Sequence, residues 1–225
     1  MTAGRQRPDA AGMGTTTTAP FRATTARART AALVSGATGI AANVLLVLFF
    51  ALAAPFSDSP NAAGWLGTAN DWLMVPQFAA LVPVAIALGR RLPAGRWVRA
   101  LTVAGVAAAA GIALAQLALV LGLLDFEIQV GVVVGAIVVL YLWLLGASLV
   151  GHRTGLLPRP VTRAGVLLGT SLPAGAALVA AGLLVPDPAR WALWAPGFAL
   201  GVAGWLALPV FPLLVARFVL RKEHP

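Results

Sequence analysis

Six apolar runs, at approximately 30–54, 72–88, 100–124, 128–150, 164–185 and 191–220, constrain this chain more than any other feature. At a rise of 1.5 Å per residue, about 20 residues cross a 30 Å hydrocarbon core, and each run approaches or exceeds that length. Each is apolar all round instead of striped, as a helix facing both lipid and protein must be. Backbone polar groups find no partner in hydrocarbon, so such runs satisfy their own hydrogen bonds as helices. The expected fold is therefore all-α, a six-helix transmembrane bundle over residues 30–221. A polar tail at 1–29, rich in Thr, Ala and Arg and carrying the run Thr15-Thr16-Thr17-Thr18, is expected to be disordered. Residues 222–225 form a short carboxyl-terminal end.

The charges give an independent count of the spans. Fifteen of the sixteen basic residues lie before the first run, between the second and third, between the fourth and fifth, or at the end of the sixth; Arg190 is the exception. Basic residues in short loops stay on the cytoplasmic side. The pattern therefore predicts a cytoplasmic amino terminus and a cytoplasmic carboxyl terminus. Adding or removing one span would scramble the alternation. It also accounts for the net charge of +9 without nucleic acid as a partner. Arg22, Arg27 and Arg29, just before the first run, are placed to attract anionic lipid as well as to fix topology.

Asp71, Asp125, Glu127 and Asp187 fall at the opposite ends of the runs. Each is expected to meet the positive end of a helix dipole there, and Asp187-Pro188 reads as an N-cap followed by proline at the first helical position. Trp65, Trp72, Trp191 and Trp194 are expected at that interface and Trp97 at the other.

Chemistry is sparse. No acid or histidine lies deep in a run, where ionisable side chains mark proton relays and pathways. The two histidines, His152 and His224, stand at the basic margin. They are too few for a haem or zinc site, and neither is placed to activate a serine. No metal or cofactor is expected, and the chain is read as a non-enzyme. The remaining polar residues are Asn43, Gln77, Gln116, Gln129, Thr170 and Ser171. Of these, Gln77, Gln116 and Gln129 share the acidic half with Asp71, and the four form a candidate polar pocket facing outward. Interhelical hydrogen bonding is the competing reading.

The segment 155–169, GLLPRPVTRAGVLLG, with the carboxyl-terminal APGFALGVAGWLALPVFPLLVARFVLR, resembles a bacterial multi-pass membrane family of the domain-of-unknown-function 4386 type. The resemblance extends over residues 30–221 and implies an inner-membrane helical bundle. It brings no catalytic residues. The expected function is non-enzymatic, with membrane lipids, a second copy of the chain or a partner membrane subunit as partners. The alternative is a transporter of a small solute or lipid that uses the outward-facing pocket.

Overall fold

The computed structural model describes residues 19–53, 55 and 62–220, with side chains from Thr25 onward. All regular structure among them is helical. Helix α1 (Ala19–Leu48) ends in a π-helical turn at Phe49–Ala53, and a 3₁₀ turn at Ala62–Gly64 leads into α2 (Trp65–Arg91). Then follow α3 (Arg96–Val120), α4 (Phe126–Arg153), α5 (Arg159–Gly182), α6 (Trp191–Ala207) and α7 (Val210–Phe218). Five spans are single helices long and apolar enough to cross a membrane. The pair α6–α7, bent by 41°, forms a sixth if counted as one span. Large apolar side chains such as Val44, Val103, Leu114, Leu167 and Phe198 stand exposed around the outside. A soluble protein rarely exposes apolar patches beyond a few hundred Å².

Two expectations about the elements change. Residues 19–29, assigned to the tail, continue α1, because Ala and Arg extend a helix already nucleated by the apolar run; residues 1–18 lie outside the described residues. The sixth run is not one helix. Pro209 has no N–H to donate and sits at the N-cap of α7, so the chain turns at Leu208–Pro209.

Consecutive spans pack antiparallel, which gathers the loop arginines other than Arg190 at one end, the basic end, and the carboxylates among the described residues at the other, the acidic end. Two tight connections need glycine. Gly122 after α3 and Gly155 after α4 have φ of +68° and +67°. Their N–H groups return to the Leu119 and His152 carbonyls, closing each helix with a left-handed residue.

Helices pack through bare backbone. A β-carbon at Gly169 would lie 2.5 Å from the Leu145 amide nitrogen and 2.7 Å from its α-carbon, so α4 and α5 touch main chain to main chain. A β-carbon at Gly175 would lie 2.5 Å from the Gly197 carbonyl, which joins α5 to α6. Of the three glycine pairs with four-residue spacing that lie within one helix, Gly165/Gly169 packs fully and Gly197 packs on α5. Gly131 and Gly135 meet nothing. Trp143, Tyr141, Phe78 and Phe211 fill the centre, with Trp143 edge-on to Phe211 at 6.4 Å.

Gly169→Val should therefore destabilise the bundle by about 1–3 kcal/mol, because a backbone neighbour cannot give way. Gly131→Val should leave thermal unfolding in detergent unchanged.

Candidate functional site

The acidic end is built from three helix termini. Asn70 and Asp71 lie in the second turn of α2, Gln116 in the last turns of α3 and Gln129 in the first turn of α4. The short α3–α4 connection brings the two glutamines face to face. Gln129 Nε2 donates to Gln116 Oε1 at 2.7 Å, with both side chains at least 95% buried. The other end of the Gln116 amide faces the Asp71 carboxylate, although its Nε2 makes no hydrogen bond of good geometry. Asn70 Nδ2 lies 3.4 Å from Asp71 Oδ1 and 3.7 Å from Met74 Sδ.

Within the glutamine pair Gln116 Oε1 is the acceptor and Gln129 Nε2 the donor, which leaves Gln129 Oε1 outside this bond.

Three of the four expected pocket residues are thus brought together, and Gln77 is not. It lies against Gly39 of α1 beside Pro209: a β-carbon on Gly39 would be 2.9 Å from Gln77 Cδ and 2.7 Å from Pro209 Cγ. Gln77 follows Asn70 by seven residues, nearly the same direction around α2 but about 10 Å further along its axis, so depth parts it from the cluster. Asn70 joins the cluster instead, a residue that a helical wheel drawn through Met74 would have found.

Carboxylate roles also shift. Asp71 is inside α2, not at its start, because that helix begins at Trp65. Asp125 is the N-cap residue of α4 and its carbonyl accepts from Gln129 N–H at 2.9 Å, but its carboxylate makes no capping bond. Glu127 lies in the first turn, as the dipole favours. Asp187 does not cap α6, which starts at Trp191; it pairs with Arg190 at 3.6 Å, and the Arg190 guanidinium stacks over Trp194 at 5.2 Å.

Beside the cluster opens a cavity of about 840 Å³. It is a groove walled by α1, α4, α5 and α6. Phe50, Val133, Val179, Phe198 and Trp205 are among its apolar walls, and Gln129 is its single polar side chain. Gly201 also lines it, and a β-carbon there would meet nothing within 4 Å. The groove exists because α1 joins α6 chiefly near mid-span, where Asn43 Nδ2 donates to the Leu206 carbonyl at 2.9 Å.

The α6–α7 bend nearby is held by an unexpected bond. Leu208 N–H turns to the Trp205 carbonyl at 3.2 Å, and Tyr141 Oη donates to Gly204 O at 2.8 Å. Thr170 and Ser171 bond within their own helix, to Val166 O and Leu168 O, and take no part. Among the described residues, no three His, Cys, Asp or Glu side chains come close enough to hold a metal ion.

Comparison with family models, curated proteins and solved structures finds no match.

A double-mutant cycle on Gln116→Leu and Gln129→Leu should give a coupling of about 0.6–1.7 kcal/mol. The double variant should lose less stability than the two singles summed, because each single leaves a buried amide without its partner.

Proposed function

We propose that this is a six-span protein of a bacterial cytoplasmic membrane, with both termini cytoplasmic, that holds an uncharged lipid instead of catalysing a reaction. The observation that carries the proposal is the groove. It is open along its side, apolar over nearly all its wall, and meets a single hydrogen-bond acceptor at the acidic end. A lipid lying along α4 would place its polar group at Gln129 and its chain toward Trp205 near mid-span. Gln129 Oε1, left over by the amide chain, accepts from a hydroxyl or amide. Asp125 and Glu127 closely precede Gln129 in sequence and disfavour an anionic headgroup.

A polar solute fits the arrangement less well. Gln116 and Gln129 close on one another through a 2.7 Å hydrogen bond. The reading thus narrows the transporter alternative to lipid handling. A partner helix or a second copy of the chain seated in the groove is the competing occupant.

Gentle release from mild detergent with native mass spectrometry should show one uncharged lipid per chain. Gly201→Phe, whose ring enters open space, should lose that lipid and keep its unfolding temperature; a bound protein or an unchanged lipid load would refute the assignment. Orientation is checked separately in the cysteine-free chain. Leu123→Cys should react with an impermeant maleimide in intact cells, and Ala94→Cys only after permeabilisation.

A further inference from the structure

A second crevice, about 380 Å³, lies at the basic end between α1, α2 and the end of α7. Its mouth carries Arg27, Arg90 and Arg91, and its floor is Pro83, Ile86 and Leu220. We propose that this crevice is a binding site for an anionic glycerophospholipid, with the phosphate held by the three arginines.

Helix geometry sets the arrangement. Positions 83, 86, 87, 90 and 91 follow one face of α2, so the apolar floor runs from about 6 to about 10 Å below the Arg90 position along the helix axis. That ordering, cation above and apolar surface beneath, matches a phosphate joined through glycerol to acyl chains. A soluble anion would leave the floor unused. The volume suits a headgroup with its glycerol, the chains continuing along the exposed side of the bundle.

Charge supports the same occupant. Arg27, Arg90 and Arg91 make no ion pair with any described residue; the pairing of Arg190 with Asp187 is at the acidic end. Three guanidinium groups at one crevice repel one another unless an anion lies between them, and planar Arg donors match phosphate oxygens bidentately. Arg90 and Arg91 are exposed in the last turn of α2, where cations also meet the negative end of its dipole. They are free to turn toward a ligand without disturbing the core. Arg221 and Lys222 follow Leu220 in the chain and add to the positive charge of this segment.

The site is independent of the groove and asks for the opposite lipid charge. The test uses full-length protein in nanodiscs of phosphatidylcholine doped with phosphatidylglycerol, with retained lipid read by native mass spectrometry. Phosphatidylglycerol should be retained in preference to phosphatidylcholine, and Arg90→Gln/Arg91→Gln should weaken that preference by about thirtyfold, as expected for two cationic contacts. Arg153→Gln, exposed at the same end outside the crevice, should leave the preference within about twofold of the original. Unfolding temperature in phosphatidylcholine alone reports whether each variant is folded, and a folded Arg27→Gln variant replaces the pair if it is not. Equal retention of the two lipids would overturn the proposal. So would an Arg153→Gln loss as large as the Arg90/Arg91 loss, or displacement of the lipid by glycerol phosphate at equal concentration.

Discussion

Hydrocarbon gives a helix no partner for its polar backbone and no hydrophobic reason to leave lipid for another helix. Everything else in this structure follows from those two facts. The backbone is satisfied within each helix. Association then rests on close van der Waals contact, which requires small residues, and on a few hydrogen bonds between helices. Gly169 against Leu145 and Gly175 against Gly197 supply the first. Gln129–Gln116, Tyr141–Gly204, Asn43–Leu206 and Trp194–Val179 supply the second. Each of these bonds ties a neighbouring pair or secures the α6–α7 bend, and where they are few, between α1 and α6, the bundle opens into a groove.

The same constraint sorts the charge. Ionisable side chains withdraw to the two ends, arginine to one and carboxylates mainly to the other, so the bundle presents two chemically different rims. An apolar groove ends near the acidic rim on one neutral acceptor, and a crevice at the basic rim gathers three arginines. On the proposed readings the two sites take different lipids, because their rims carry opposite charge. No catalytic constellation is required by either reading.

Much of this was legible in the sequence. Run length and apolarity located the spans, since the 1.5 Å rise ties length to bilayer thickness. The clustering of Asp71, Gln116 and Gln129 followed from antiparallel helices joined by short connections. Gln77 was misplaced because sharing one half of a span does not fix depth: it lies on nearly the same face of α2 as Asn70 but about 10 Å further along the axis. Asp187 was misread because its pairing with Arg190 competes with capping. The start of α2 at Trp65 was hidden by the polar residues Thr68, Asn70 and Asp71, which interrupt the apolar run but lie within the helix. The groove had no local signature. It depends on how far α1 and α6 diverge, a property of two helices at opposite ends of the chain. Glycine spacing likewise could not separate Gly165/Gly169, which pack, from Gly131/Gly135, which do not.

The central claim is that hydrocarbon, and not water or another polypeptide, occupies the groove. A spin label on Gly201→Cys, the only cysteine of the otherwise cysteine-free chain, reports this directly in reconstituted bilayers. The account predicts relaxation strongly enhanced by oxygen and hardly at all by a water-soluble nickel complex, the signature of a lipid-filled site. Strong enhancement by nickel would reveal an aqueous solute path, and little enhancement by either agent would reveal a protein partner; both results would contradict the account.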